Sequence, residues 1–349
     1  MSAVARRGSA ATIVVLAPNW LGDAVLALPA IADVRRAYAG SRLAVAARRS
    51  IAGIFRLMPD VDEVIALESD ARWWRRTAFR ADAAAVARFD VAILFPNSFQ
   101  SAWLVRAAGV PERCGYGTDV RGRLLTRAVA RTRGGHQSEY YQRLTSALGI
   151  AALPASPRID VPAPVTSHAA DLLREHGHVQ GRRSVVFAPG AAYGKAKQWL
   201  PSHVASLVAR LALERDATCV IVGSAADAGI AREIRRGLVG DASRRVIDLV
   251  GRTSLEQLAG VLAGADACVC NDSGAMHLAA AVGVPVVATF GPTNERATAP
   301  LARPGRSAEV IAHDVWCRPC MLRECPVDHR CMRGISPDRV FDAVARVLA

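Results

Sequence analysis

The segment 267–294, ACVCNDSGAMHLAAAVGVPVVATFGPTN, constrains the fold more than any other part of the chain. Its pattern indicates an apolar strand, a sharp polar turn, a helix of small residues, a second apolar strand and a Gly-Pro-Thr turn. In an open parallel sheet, ligands bind at the carboxyl ends of the strands. The segment therefore predicts a parallel sheet with two ligand-binding turns that lie close together in the sequence.

The first of these turns is suited to a phosphate or diphosphate. Asp272 or Ser273 is expected to cap the helix, whose first N–H groups are then available to an anion. His277 lies four residues after Ser273, so one helical turn brings it to the same face. The candidate ligand-binding residues are Asp272, Ser273, Gly274 and His277, with Thr293 in the second turn.

Strand and helix patterns alternate twice along the 349 residues, a length sufficient for two domains. Residues 1–150 predict one parallel sheet, and residues 184–349 predict a second one with at least five strands. Residues 151–183, which carry four prolines between positions 154 and 164, are interpreted as a linker region. The predicted fold class is α/β, with two Rossmann-like parallel-sheet domains and a cleft between them.

Several local predictions follow the same patterns. A helix is expected over 23–38, and another is expected to be capped by Ser202. Ser254 and Gln257 have the spacing of a capping box. The amphipathic segment 337–348 predicts a terminal helix.

The net charge of +13 favours a polyanionic partner, whether nucleic acid, anionic lipid or a phosphorylated substrate. A GC-rich genome is an alternative reason for the arginine excess. Asn19, Gly22 and Asp23 interrupt the first apolar run too early for a signal peptide, and no apolar run reaches the roughly 18 residues of a membrane span. The sequence predicts a cytoplasmic protein that touches a membrane surface at most.

Two loops at predicted strand ends carry candidate reactive groups. Asp23 is interpreted either as a general base, an effect of about 10²–10⁴ in rate, or as a plain helix cap. Lys195 and Lys197 either neutralise phosphate charge on a leaving group or form a solvated basic loop. The first loop lacks G-x-G-x-x-G, which disfavours a nicotinamide oxidoreductase.

Five segments resemble the bacterial lipopolysaccharide heptosyltransferase family: APNWLGDAVLALPAI, LFPNSFQSA, PGAAYGKAKQWL, VIVGSAAD and VCNDSGAMHLAAAVGVPVVATFGPTN. They occur in family order across nearly the whole chain, and the likeness is greatest to the heptosyltransferase II group. The resemblance implies a GT-B glycosyltransferase fold, in which the terminal helix 337–348 is expected to cross back to the first domain. Its N-terminal domain is expected to bind the acceptor, and its C-terminal domain the nucleotide sugar.

The resemblance also implies roles for single residues. Asp23 becomes the catalytic base, and Lys197 becomes the catalytic lysine of the phosphate loop. Asp272 and His277 are expected to face the sugar, while the turn at Ser273 and Gly274 holds the diphosphate. Further donor contacts are expected from Lys195, Thr293, Ser224, Asp227 and Ser254, of which Ser224, Asp227 and Ser254 are assigned to adenine and ribose.

The implied reaction is an inverting transfer of L-glycero-D-manno-heptose from ADP-heptose to a heptose–Kdo–lipid A acceptor, with no cofactor required. The enzyme is expected to be a cytoplasmic monomer, peripheral on the inner membrane, with no nucleic-acid partner. The alternative is heptosyltransferase I or III, or another GT-B transferase with a different acceptor. A basic nucleic-acid-binding protein is a more remote alternative.

The tract DARWWRRTAFR, residues 70–80, mixes tryptophan with arginine, which suits a membrane interface with anionic head groups. The alternative is a solvated helix whose tryptophans pack on the core. The predicted acceptor or membrane contacts are Asn19, Trp20, Asn97, Arg72, Trp73, Trp74, Arg75 and Arg76.

Four cysteines, Cys317, Cys320, Cys325 and Cys331, crowd into one C-terminal stretch near His329. Three interpretations stay open: a structural Zn²⁺ site, free or redox-sensitive thiols, and disulfides. The Asp-x-Asp pattern at 60–62 resembles a glycosyltransferase metal motif, but it lies in the acceptor half and is not expected to bind metal.

Overall fold

The computed structural model describes residues 11–69, 74–118, 120–132, 134–154 and 156–349. The chain divides into two units, Met1–Ala155 and Ser156–Ala349. Each unit holds a six-stranded sheet whose neighbouring strands are all parallel. The prediction of two parallel α/β sheets is confirmed. No helix in these ranges is long and apolar enough to cross a membrane.

The N-terminal unit alternates strands and helices from its first described residues. Its strands are β1 (Thr12–Leu16), β2 (Arg42–Arg48), β3 (Glu63–Leu67), β4 (Val91–Leu94), β5 (Glu112–Tyr116) and β6 (Arg127–Val129). Its helices are α1 (Leu21–Leu26), α2 (Leu28–Ala37), α3 (Arg49–Phe55), α4 (Arg76–Val86), α5 (Phe99–Ala107) and α6 (Gln137–Ala147). The strand order is β3-β2-β1-β4-β5-β6, so the order reverses between β1 and β4, where Rossmann-like sheets open a crevice for ligands.

The C-terminal unit repeats this plan. Its strands are β7 (Ser184–Ala188), β8 (Thr218–Ile221), β9 (Val246–Asp248), β10 (Ala267–Asn271), β11 (Val286–Phe290) and β12 (Ala308–Ala312). Its helices are α7 (Ala163–Glu175), α8 (Pro201–Glu214), α9 (Ala228–Arg236), α10 (Gly240–Arg244), α11 (Leu255–Ala263), α12 (Gly274–Val282), α13 (Glu295–Thr298), α14 (Arg330–Arg333) and α15 (Pro337–Val347). In the order β12-β11-β10-β7-β8-β9, the reversal falls between β10 and β7.

The central strands are buried on both faces, which explains why they are continuous apolar runs. All residues of β7 and β10 are buried, as expected for a parallel sheet covered by helices. Helix α8 packs the predicted stripe of Val204, Leu207, Val208 and Leu211 into the same core. These buried strands fix the positions of the loops that leave their carboxyl ends.

Two predicted helix starts differ in the structure. The helix expected over 23–38 is divided at Ala27 into α1 and α2, because Pro29 has no N–H to continue the hydrogen-bond ladder of α1. Ser202 is not a cap. Helix α8 begins with Pro201 after the capping residue Leu200, since the fixed backbone angle of proline suits the first helical turn.

The predicted linker of residues 151–183 is wrong over Ala163–Glu175, where helix α7 forms. Ala169 and Leu173 of α7 are buried, and Gly260 of α11 admits the backbone of α7 closely. A Cβ at Gly260 would lie 2.7 Å from the carbonyl oxygen of Val165. The apolar face of α7 therefore joins it to the C-terminal unit, to which residues from Ser156 onward belong.

The terminal helix α15 buries its apolar face in the core of the C-terminal unit. Val340 and Val344 lie in that core, and Arg346 Nη2 pairs with Glu309 Oε2 of β12 at 2.7 Å. Its predicted return to the N-terminal domain stays a prediction.

Candidate functional site

Asp272 is the centre of a polar cluster at the carboxyl edge of the C-terminal sheet. Its Oδ2 accepts a hydrogen bond from Lys197 Nζ at 2.6 Å and another from Thr293 Oγ1 at 2.6 Å. The side chains of Lys197 and Asp272 are only 13% and 5% exposed. The loops that follow β7, β10 and β11 therefore each place one predicted site residue in this cluster: the catalytic Lys197 and the donor-binding Asp272 and Thr293.

Asn271, which the sequence analysis missed, bonds the end of β10 to the loop after β7 and to strand β11. Its Oδ1 accepts from the Trp199 backbone N–H and from Thr289 Oγ1, both at 3.0 Å. Its Nδ2 donates to the carbonyl of Pro189 at 2.6 Å. Its position could have indicated this role, because an asparagine that ends the buried apolar strand ACVCN needs hydrogen-bond partners.

The start of α12 is arranged as an anion site. Ser273 occupies the N-cap position, but its side chain makes no capping hydrogen bond there. Asp272 is not the cap, because its carboxylate is engaged by Lys197 and Thr293. The first N–H groups of a helix carry a partial positive charge, so this end adds to the ammonium of Lys197 in attracting a phosphate. His277 lies one turn into α12 and is buried.

The two lysines of the loop after β7 differ in environment. Both lie in a 3-10 turn, Lys195–Lys197, but Lys195 is exposed whereas Lys197 is held by Asp272. The Lys197 ammonium also lies 4.7 Å from the centroid of the Tyr193 ring. The interpretation as a solvated basic loop is therefore wrong for Lys197.

The residues assigned to adenine and ribose have structural partners at helix starts. Ser224 Oγ donates to Asp227 Oδ2 at 2.8 Å in a capping box. Ser254 and Gln257 form the predicted capping box at the start of α11. All three assigned residues follow strands of the C-terminal sheet, and their contact with a nucleotide stays a prediction.

In the N-terminal unit, Asp23 lies in the first turn of α1, beside the strand-order reversal. The capping residue of α1 is Trp20, so the interpretation of Asp23 as a plain cap is wrong. Asp23 Oδ1 accepts a hydrogen bond from the hydroxyl of Tyr141 at 3.3 Å. Burial, and next the negative charge of Asp23, raise the pKa of Tyr141 well above its usual value, so this phenol stays a hydrogen-bond donor.

A cavity of about 170 Å³ opens at the carboxyl edge of the same sheet. Asn19, Arg48, Trp74, Ser98 and Gln100 line it. It combines an aromatic wall with a cationic group and amide groups, a composition suited to a phosphorylated sugar.

The predicted acceptor contacts divide into three groups. Trp20 and Trp74 are 53% and 56% exposed, so the alternative that the tract packs its tryptophans on the core is wrong for Trp74. Arg75 and Arg76 are exposed at the start of α4, whereas Asn97 donates to Tyr140 Oη at 2.7 Å. Arg72 and Trp73 lie outside the described residues.

The four C-terminal cysteines are free thiols around a small cavity. Across the described ranges, no group of three or more His, Cys, Asp or Glu side chains is placed to hold a metal ion, so of the three interpretations the structure favours free thiols over a zinc site. The backbone of this stretch bonds to a neighbouring loop, from Met321 N to Pro292 O at 2.9 Å.

Asp62, from the Asp-x-Asp pattern at 60–62, is bonded to the backbone of Leu43 and to the side chain of Arg35. Its Oδ2 accepts from the Leu43 N–H at 2.7 Å, and this bond and the one from Arg35 lower its pKa.

Comparison with known proteins places these features in a family. Residues 83–330 match the model described as glycosyltransferase family 9 (heptosyltransferase). The chain is 30% identical over 354 residues to lipopolysaccharide heptosyltransferase 2 of Salmonella typhimurium, which covers 97% of this chain and 98% of the relative. It is similar to the solved ADP-heptose LPS heptosyltransferase II of E. coli, with a TM-score of 0.81, 28% identity and coverage of 97% and 98%.

The E. coli heptosyltransferase WaaC, solved with ADP, shares the fold at a TM-score of 0.72 and 19% identity, covering 96% of this chain and 99% of that one. With two Rossmann-like units and these structural relatives, the GT-B prediction is confirmed.

Proposed function

We propose a specific transfer reaction for this chain, which belongs to glycosyltransferase family 9, the heptosyltransferases. The chain is a lipopolysaccharide heptosyltransferase with a GT-B fold. In the proposed reaction it moves L-glycero-D-manno-heptose from ADP-heptose to the first heptose of a Kdo–lipid A inner core, with inversion at the transferred sugar. It requires no metal.

The donor part of the proposal rests on the Lys197–Asp272–Thr293 cluster. A departing ADP carries new negative charge on its terminal phosphate, and preorganised donors stabilise such charge. Lys197 supplies a fixed ammonium for this purpose, because Asp272 holds it at 2.6 Å. The start of α12 adds backbone N–H groups at Ser273 and Gly274, while Asp272 and His277 are assigned to the heptose.

The base in the proposal is Asp23. An acceptor hydroxyl must lose its proton as it attacks the anomeric carbon, and a carboxylate held in place by Tyr141 suits that task. Transfer is a single displacement, with the proton passing to Asp23 and the leaving group departing as ADP.

The acceptor is proposed to bind the N-terminal unit at the cavity beside Arg48 and Trp74. The lipid anchor of this acceptor lies in the membrane, so the enzyme is proposed to work at the inner face of the cytoplasmic membrane. It is proposed to act there as a cytoplasmic monomer. The net charge of +13 and the exposed Trp74, Arg75 and Arg76 support contact with anionic head groups.

Release of ADP with two defined acceptors tests the proposal. The purified chain is incubated with ADP-heptose and either Kdo–lipid A or heptosyl-Kdo–lipid A. We expect ADP release with the heptosylated acceptor alone. Release with only the unheptosylated acceptor would identify the heptosyltransferase I reaction instead, and no release with either acceptor would contradict the proposed function.

A further inference from the structure

The segment that carries the four C-terminal cysteines, residues 317–331, contacts both outer loops of the donor cluster. We name it the cysteine segment. One contacted loop follows β7 and ends in Lys197, and the other follows β11 and contains Thr293. These two residues bond to the same oxygen of Asp272, and their strands β7 and β11 lie on either side of β10.

The first loop is bonded to the cysteine segment through Ala196, the residue before Lys197. His329 Nε2 lies 2.8 Å from the carbonyl oxygen of Ala196, and the N–H of Ala196 donates to the carbonyl of Arg323 at 2.9 Å. A carbonyl only accepts, so His329 must carry a proton on Nε2. Tyr193 adds a hydrogen bond from its hydroxyl to the carbonyl of Met321 at 2.7 Å.

Close packing supports the same attachment. A Cβ at Gly194 would overlap the carbonyl oxygen of Arg323, so the loop lies directly against the segment. The Arg323 guanidinium also lies 5.2 Å from the centroid of the Tyr193 ring.

The second loop is bonded through the residues before Thr293. Arg318 Nε donates to the carbonyl of Gly291 at 2.7 Å, and Met321 N donates to the carbonyl of Pro292 at 2.9 Å. The Arg318 side chain is only 7% exposed, and it also pairs with Glu295 at 2.8 Å. The cysteine segment therefore fixes the backbone on which Thr293 is carried.

The thiols enclose the space between the segment and these loops. Cys317, Cys320, Cys325 and Cys331 line a cavity of about 20 Å³, together with Ala196 and Pro292. That volume holds about one water molecule. Ala196 and Pro292 each precede a member of the donor cluster, so the wall of this cavity is also the support of Lys197 and Thr293.

We propose that the cysteine segment positions the two donor loops, with His329 as the positioning residue for Lys197, and thereby sets the affinity for the diphosphate of the donor. The inference rests on the proposed function in taking the Asp272 cluster as the donor site. His329 acts through Ala196 and touches no reacting atom.

The test is ADP binding by calorimetry, followed by donor and acceptor KM values, for His329→Leu and His329→Gln. Loss of one hydrogen bond in His329→Leu is expected to weaken ADP binding about fivefold to tenfold and to raise the donor KM equally, with an unchanged acceptor KM. Glutamine keeps an N–H donor on a side chain of similar reach, so His329→Gln is expected to recover most of the affinity. Asp328→Asn is the matched control, because Asp328 is adjacent to His329 and its carboxylate accepts hydrogen bonds from Arg330 rather than from either donor loop.

A second variant guards against a folding defect in His329→Leu. Tyr193→Phe removes only the hydroxyl bonded to Met321, and a smaller loss of about threefold in ADP affinity is expected. Wild-type ADP affinity in both His329→Leu and Tyr193→Phe, or equal impairment of His329→Gln and His329→Leu, would overturn the inference. If the wild-type chain itself bound no ADP, the proposed donor site would fail and this inference with it.

Discussion

Lys197 Nζ and Asp272 Oδ2 are joined at 2.6 Å in a site where both side chains are largely buried. A buried ion pair contributes little net stability, yet removal of one partner leaves an uncompensated charge in the protein interior. The pair therefore has two roles: it joins the loops after β7 and β10, and it holds the Lys197 ammonium that the proposed reaction requires.

Lys197→Ala is expected to be costly for both stability and rate. The orphaned Asp272 carboxylate is expected to lower the free energy of unfolding by about 3–5 kcal/mol. Loss of the ammonium is expected to lower kcat by about 10²–10³. Urea unfolding and ADP-release kinetics measure the two effects. Lys195→Ala is the control, because Lys195 lies in the same turn but is exposed, and its free energy of unfolding should stay within about 0.5 kcal/mol of wild type. A loss in Lys195→Ala equal to that in Lys197→Ala would contradict the special role of the Lys197–Asp272 pair.

Asp23→Asn is expected to remove the base while keeping the shape of the side chain. We expect kcat to fall by about 10²–10⁴. The affinity for ADP should stay unchanged, because the donor cluster belongs to the C-terminal unit. Steady-state kinetics and calorimetry provide the two readouts, and near-normal turnover would show that Asp23 is not the base.

Tyr141→Phe is expected to shift the pH dependence of transfer. The raised pKa of Tyr141 keeps its phenol protonated, so it donates a hydrogen bond that favours the charged form of Asp23. Without that bond the carboxylate takes up a proton more readily, and the acidic limb of the kcat/KM profile moves to higher pH. Tyr140→Phe is the control, because that hydroxyl contacts Asn97 instead. An unmoved limb in Tyr141→Phe would contradict the coupling.

Neutralising Arg75 and Arg76 together is expected to weaken binding to vesicles that contain anionic lipid. Each arginine near such a surface contributes about 1 kcal/mol, so the double change to glutamine should cost about 30-fold in partition coefficient. Co-sedimentation with anionic and zwitterionic vesicles measures it. The same change at Arg235 and Arg236 of α9 is the charge-matched control, and an equal loss in that variant would show that the attraction is not local to α4.

The parts of the fold that could be predicted are those that local sequence determines. The buried runs of β7 and β10, the stripe of α8 and the capping box of Ser254 depend on neighbours within a few residues, and all were identified. The start of α8 was missed by two residues, because the cap is Leu200 and Pro201, not a residue after Ser202, takes the first helical position.

The parts that could not be predicted depend on partners far away in the chain. Asn271 contacts Trp199 across 72 positions, Tyr141 reaches Asp23 across 118, and His329 reaches Ala196 across 133. The cysteine spacing is compatible with zinc, but it does not indicate that the backbone at Met321 and Arg323 bonds to the donor loops.

The anomeric configuration of the product tests the central claim most directly. The chain is incubated with ADP-L-glycero-β-D-manno-heptose and heptosyl-Kdo–lipid A, and the isolated product is analysed by NMR. A single displacement with Asp23 as base predicts one added heptose in α linkage. A β-linked heptose, or an acceptor recovered without added heptose, would contradict the account.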